Sequence, residues 1–282
     1  MMKNAAGNSL QFGEFRLDIS ARTQIMGILN VTPDSFSDGG RFLQVEAAVE
    51  RAFAMAAEGA DIIDVGGEST RPGHAQVEAE EELARILPVI EALSRAGLSK
   101  PISVDTYKAE VARLALSAGA HIINDIWGGK KDPDMLNVAA EYGCPIILMH
   151  NRMDMNYGDF LEDVVRDLLE SVELARQAGV REEQIILDPG IGFAKTHEMN
   201  LAMMANLDRI TGLGYPVLLA ASRKSTLRWV LDLPADDIVE GTLATTVMGI
   251  MQGAGIVRVH DITANKRAAQ MADAVKRYRS GN

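Results

Sequence analysis

The sequence predicts an α/β fold, a (β/α)8 TIM barrel with a short N-terminal β-hairpin, and three observations carry that expectation. Eight short runs rich in Ile, Val and Leu recur along the 282 residues, each is apolar at successive positions, and longer amphipathic stretches lie between them. Continuous apolarity fits strands buried on both faces, as in a parallel sheet covered by helices. One unit per roughly 30 residues favours closure into a barrel over an open doubly wound sheet.

The strand runs are Gln24–Leu29, Asp61–Val65, Pro101–Val104, His121–Asn124, Pro145–Met149, Gln184–Leu187, Tyr215–Leu219 and Gly255–Val259. Helical patterns separate them, among them Val45–Glu58, Glu78–Arg95, Lys108–Ala118, Asp159–Gln177 and Ile238–Gln252. Three helices end in Gly59, Gly119 and Gly179, where glycine supplies the left-handed conformation that stops a helix and launches a strand. Ahead of the first run, Leu10, Phe12, Phe15, Leu17 and Ile19 flank Gly13-Glu14, the pattern of a small hairpin plugging the barrel floor. No Pro/Gly/Ser-rich linker divides the chain. Residues 1–282 therefore read as one domain, with the hairpin at about 9–20 and the barrel at about 24–280.

Composition narrows the function. Hydrophobic residues make up 47% of the chain, in the range of a globular protein. A net charge of −11 argues against a nucleic-acid or anionic-membrane partner, since both repel it. A single cysteine, Cys144, permits no internal disulfide and fits a reducing compartment. The first fifteen residues lack an apolar core of signal-peptide length, and no run is long and apolar enough to span a bilayer. The expectation is a cytoplasmic protein.

In a barrel, chemistry sits at the carboxyl ends of the strands. Here the first strand runs into Asn30-Val31-Thr32-Pro33-Asp34-Ser35-Phe36-Ser37-Asp38-Gly39-Gly40, and the second into Gly66-Gly67-Glu68-Ser69-Thr70-Arg71-Pro72-Gly73. The next four end in Asp105-Thr106, Asn124-Asp125, His150 and Asp188-Pro189-Gly190-Ile191-Gly192-Phe193. The last two end in Ser222-Arg223-Lys224-Ser225 and Arg258-Val259-His260-Asp261. Together, over about Gln24 to Asp261, these strings resemble the dihydropteroate synthases, pterin-binding barrel enzymes of folate biosynthesis.

The resemblance implies a transferase that condenses a dihydropterin hydroxymethyl pyrophosphate with p-aminobenzoate, releases pyrophosphate and is a sulfonamide target. It implies a pterin site of Asp105, Asn124, Ile126, Met149, Asp188, Phe193 and Lys224. Asp188 would accept paired N–H groups of the ring and Lys224 would donate to its carbonyl. It implies a pyrophosphate site of Asn30, Thr70, Arg71, Arg258 and His260, with Mg2+ as cofactor and Asn30 as its protein ligand. The p-aminobenzoate site would hold Phe36, Pro72, Phe193, Lys224 and Ser225. Asp105, Lys224, Arg258 and His260 would be catalytic, with loop glycines Gly39 and Gly40 as hinges and a homodimer as the assembly. The chain departs from the family pattern at Ala194, Ala220 and Thr226. A pterin-dependent methyltransferase and a non-catalytic pterin-binding paralogue are the alternatives; the first has no need of pyrophosphate-directed residues, and the second would lose Lys224, Arg258 or Asn30.

Other residues read as structural. Gly190-Ile191-Gly192 is half a dinucleotide fingerprint, but Lys195 stands where its third glycine belongs. His150 reads as a satisfied partner near the barrel rim, and His74, His121 and His197 have no metal-binding spacing. Asp105, Asn124 and Asp125, taken without the other strings, read as helix caps. Met203, Met204, Met248 and Met251 read as packing, and Glu78–Glu82 as an exposed helix start.

Overall fold

A computed structural model describes residues 9–32, 41–68 and 76–279. Two short strands open it, β1 (Ser9–Phe12) and β2 (Phe15–Asp18), paired antiparallel around Gly13, whose φ of 53° suits the tight turn. Eight parallel strands follow: β3 (Gln24–Asn30), β4 (Ile62–Gly66), β5 (Ile102–Asp105), β6 (Ile122–Asp125), β7 (Ile146–Met149), β8 (Ile185–Asp188), β9 (Leu218–Leu219) and β10 (Ile256–Val259). Their order around the sheet is β8-β7-β6-β5-β4-β3-β10-β9, and a parallel bridge from Leu187 to Val217 joins the two ends. The predicted barrel and hairpin are both present. The seventh strand is shorter than the run Tyr215–Leu219 predicts, because only Leu218 and Leu219 pair as a regular strand with β10.

Helices α1 (Arg41–Glu58), α2 (Ala79–Arg95), α3 (Ala109–Ser117), α4 (Met135–Tyr142) and α5 (Phe160–Gln177) cover the first half. Then come α6 (His197–Ala205), α7 (Asp208–Thr211), α8 (Ser225–Leu231), α9 (Val239–Met251) and α10 (Ile262–Arg279). The large apolar cluster lies between strands and helices, with Ile63, Val65, Val104, Ile123, Leu148 and Leu187 all at 2% exposure or below. A second cluster fills the barrel interior. There Leu10, Phe12 and Leu17 of the hairpin meet Met26, Ile62, Ile122, Ile147, Ile186, Leu218 and Ile256. Alternate residues of a strand share a face, so these positions fix what points inward one step later. That step is where the interior turns polar: Ile62 leads to Asp64, Ile122 to Asn124, Ile186 to Asp188 and Ile256 to Arg258.

Candidate active site

Strand register assembles the mouth of the barrel. Asn30 pairs with Gly66, Gly66 with Asp105, and Asp105 with Asn124, so four strand ends share one row. A methyl placed on Gly66 would lie 3.6 Å from Asp105 Oδ2 and 3.8 Å from Asn30 Oδ1. Glycine there leaves the space between those two oxygens open. Two residues deeper on β4 sits Asp64, fully buried.

Arg258 rises from β10 into this row. Its Nε donates to Asp64 Oδ2 at 2.6 Å and its Nη2 to Asp105 Oδ2 at 2.6 Å. Asn124 Nδ2 also donates to Asp64 Oδ2, at 3.1 Å. The other oxygens, Asp64 Oδ1 and Asp105 Oδ1, are buried without a partner among the described residues. An orphaned carboxylate oxygen is costly, and at the open end of a barrel it marks a place where something else binds. Burial pushes the Asp105 carboxyl upward; Arg258 opposes that and the Asp64 carboxylate reinforces it. Arg258 itself is held firmly protonated by its two carboxylates.

Across the mouth, Asp188 ends β8 beside Met149, its partner in register. Its Oδ1 accepts from Gly190 N at 2.7 Å. Burial pushes Asp188 up to about 6 despite that bond and the cations Lys224, Arg258 and Lys195. Lys224 precedes α8 and holds its ammonium 4.2 Å from the centre of the Phe193 ring. Ile126 and Met149 are buried apolar neighbours of these strand ends. His260 Nδ1 lies 2.9 Å from Ser222 Oγ, and Ser225 is exposed as the first residue of α8. Asp261, just ahead of α10, pairs with Arg223 through both oxygens. Phe36, Gly39, Gly40, Thr70, Arg71, Pro72 and His74 lie outside the described residues.

Several sequence readings change. Asp125 is the turn-capping residue of its pair, accepting from Trp127 N and Gly129 N, whereas Asn124 faces Asp64 inside the barrel. Glu82 is not part of an exposed helix start. It is 1% exposed and pairs with Lys108, which also binds Glu68 beside the Gly66-Gly67 turn. Met248 is half-exposed rather than packed. His150 is a satisfied partner as expected, between Lys195 and Asp167. His121 accepts from Ile102 N, and His197 stacks on Trp229 and meets the buried Thr226. Ala194 holds a φ of 45° where a side chain is strained, and Ala220 packs among the interior apolar residues.

Sequence reasoning missed Asp64, Glu82, Lys108 and Lys195. For Asp64 the signal was available: inward residues of β4 read Ile62, Asp64, Gly66, and a buried carboxylate in a strand needs a partner.

The pterin-binding-enzyme family model matches residues 26–260. The dihydropteroate synthase of Clostridium beijerinckii is 54% identical over 269 residues, covering 95% of this chain and all of that one. The chain belongs to the dihydropteroate synthase family. A dihydropteroate synthase structure from Clostridium difficile, solved in the presence of pteroic acid, superposes with a TM-score of 0.89 at 48% identity, covering 94% of this chain and 98% of that one. The dihydropteroate synthase of Xanthomonas albilineans with 4-aminobenzoic acid gives 0.91 at 41% identity, covering 96% and 99%.

Proposed function

We infer that the chain carries out the dihydropteroate synthase reaction, joining a dihydropterin pyrophosphate to p-aminobenzoate with release of pyrophosphate. One observation carries this reading: Asp188 and Lys224 face the mouth that also holds Arg258 between Asp64 and Asp105. A buried carboxylate within the field of an ammonium suits the adjacent donors and the carbonyl of a pterin ring. Phe193, Met149 and Ile126 supply apolar contact, and Asn124 a neutral polar edge. The methyltransferase and non-catalytic readings are not favoured beside relatives that are dihydropteroate synthases over nearly their whole length.

In the reaction the C–O bond to pyrophosphate breaks with its electron pair, and the aryl amine nitrogen bonds to the methylene carbon and gives up a proton. Asp105, ionised beside Arg258, would stabilise the cationic carbon that develops as the bond breaks. Arg258 and His260, with Thr70 and Arg71 from the second loop, receive the departing anion. Arg258 moves from sharing two carboxylates to sharing them with phosphate oxygens. Phe36, Pro72, Phe193, Lys224 and Ser225 flank the p-aminobenzoate. The Asn30 Oδ1 that faces the gap over Gly66 is a hard, neutral oxygen donor, which fits Mg2+ held mainly by pyrophosphate and water. When bound, that ion would neutralise leaving-group charge.

A homodimer is supported by the exposed apolar residues at the end of α8 and just beyond it, where Trp229, Val230, Leu231 and Leu233 are 39–53% exposed. A reducing, cytoplasmic setting is supported by the lone Cys144, whose buried thiol is pushed up to about 12 and is therefore inert. Residues 1–282 are read as one pterin-binding unit.

The test is incubation with dihydropterin pyrophosphate, p-aminobenzoate and Mg2+. Dihydropteroate should form only with both substrates and the metal, and sulfonamides should compete with p-aminobenzoate. Pterin binding without any pyrophosphate release would replace this reading with the paralogue.

A further inference from the structure

Lys195 is the most deeply placed lysine among the described residues, 9% exposed, and its position is unusual. Its ammonium lies 2.8 Å from His150 Nδ1, 3.0 Å from Gly190 O and 3.1 Å from Phe193 O. An ammonium has three N–H groups, and these three acceptors use all of them. Two of the acceptors are main-chain carbonyls of the segment that joins Asp188 to Phe193. That segment and the residue after it are contorted: Gly190, Gly192 and Ala194 hold φ of 70°, 85° and 45°. Such a conformation persists only where its surroundings impose it. Asn200 Oδ1 accepts from Gly192 N at 2.7 Å and Tyr157 Oη donates to Ala194 O at 2.8 Å, so side chains from three directions fix it.

His150 gives this arrangement a fixed orientation. Burial and the neighbouring lysine pull its imidazole down to about 3, so it is neutral and accepts at Nδ1. Its Nε2 faces Asp167 Oδ2 at 3.2 Å, and that oxygen accepts from Arg152 Nε at 2.6 Å. A row of partners thus runs inward from a mostly covered arginine to the mouth.

We propose that Lys195 is a positioning residue of the pterin site, its ammonium tying Gly190 and Phe193 to His150 so that the Asp188 carboxylate and the Phe193 ring are held where the ring docks. This rests on the functional reading above. Lys195 touches no reacting atom and acts through the segment it holds. It also acts through charge. The groups that face it are Asp188 on β8, Lys224 before α8, His150 after β7, Asp167 on α5 and Arg152 in the intervening loop. Asp188 in turn feels Lys224, Arg258 and Lys195, all of which favour its ionised form. Burial pulls Lys195 down to about 7, so the ammonium and the Asp188 carboxylate coexist around pH 6 to 7.

The experiment is calorimetric titration of a dihydropterin lacking phosphates into the full chain, its K195M variant and its H150Q variant, from pH 5.5 to 8.5. Loss of one charged hydrogen-bonding group costs on the order of 10- to 100-fold in affinity, and a loss of that size is expected for K195M at pH 6.5. Its affinity optimum should move to higher pH, because Asp188 loses a cation that keeps it ionised and the titration of Lys195 is gone. H150Q keeps the charge and an acceptor, so its loss should be smaller and its optimum unmoved. In steady state, K195M should raise the pterin KM more than it lowers kcat. A K195M affinity within about threefold of wild type, or a loss equal at every pH, overturns the proposal. If K195M does not fold, H150Q decides: a shifted optimum there contradicts the charge assignment, and a modest unshifted loss supports it. A wild type that binds no pterin overturns the functional reading itself and the proposal with it.

Discussion

Asp61 and Asp105 are both buried carboxylates at strand ends, one at the amino end of the barrel and one at its carboxyl end, and they are treated oppositely. Asp61 accepts both arms of Arg22 at 2.7 Å, the Ile25 N–H at 2.9 Å and Lys266 at 3.4 Å. Burial alone would raise its carboxyl, and those partners outweigh burial and hold it below the ordinary value. Asp105 shares one arginine with Asp64, keeps an oxygen without a partner, and is pushed upward. The floor nearby is sealed by Leu10, Phe12 and Leu17, while the mouth is left polar and incompletely paired. One end of the barrel spends its residues on stability. The other holds charge ready for a ligand.

If that division is right, mutations at the two ends should separate stability from binding. The largest effect should come from Leu10→Ala, which empties part of the floor plug and costs about 2–5 kcal/mol. At about 2–4 °C per kcal/mol for a chain of this size, calorimetry should show a clear fall in Tm, with pterin affinity unchanged in the protein that remains folded. A loss of affinity matching the loss of stability would erase the distinction between the ends.

Asp188→Asn should do the reverse. It removes the charged acceptor while the pterin donors remain buried, costing about 2–4 kcal/mol of binding, or roughly 30- to 1000-fold in Kd. The Tm should hold or rise, because burial outweighs the Gly190 N–H and the nearby cations and leaves the ionised carboxyl disfavoured in the folded chain. Thermal unfolding run beside the titration checks both halves of this statement.

Smaller effects sharpen the comparison. Asp61→Asn should cost about 1–2 kcal/mol of stability at neutral pH, discounted because Arg22 is 44% exposed. A carboxyl held below its unfolded value near 4 stabilises above that pH, and the benefit is lost as pH falls through the folded value. The gap between wild type and Asp61→Asn should therefore narrow in acid, which denaturant unfolding at pH 7 and pH 3 would show. Last, Ala194→Gly should stabilise by less than about 1 kcal/mol, since relief of the left-handed strain is partly offset by glycine's extra chain entropy. Destabilisation by that change would mean the methyl packs usefully.

Much of this division was legible in the sequence. Buried parallel strands are continuously apolar, so all eight runs stood out, and the hairpin's paired apolar residues around Gly13-Glu14 announced the plug. The strand-end strings located Asp105, Asn124, Asp188 and Arg258 at the mouth through their joint resemblance to the dihydropteroate synthases, since Asp105 and Asn124 taken alone read as helix caps. Asp64 escaped because it lies within an apolar run rather than after one, and only the inward alternation of β4 reveals it. Lys195 escaped for a different reason. Its partners are main-chain carbonyls and a histidine 45 residues away, contacts that no local spacing encodes. Glu82 and Lys108 meet across two helix starts in the same fashion.

The central claim is that the carboxyl end holds Asp188 as a buried acceptor for a pterin ring, and its most direct test is wild-type pterin affinity measured by calorimetry as pH falls from 7 to 5. With its carboxyl pushed up to about 6, Asp188 takes up a proton in that interval and loses its charge. Affinity should weaken about tenfold per unit below pH 6, in a limb absent from Asp188→Asn. A flat profile across this range, or the same limb in the variant, would contradict the account.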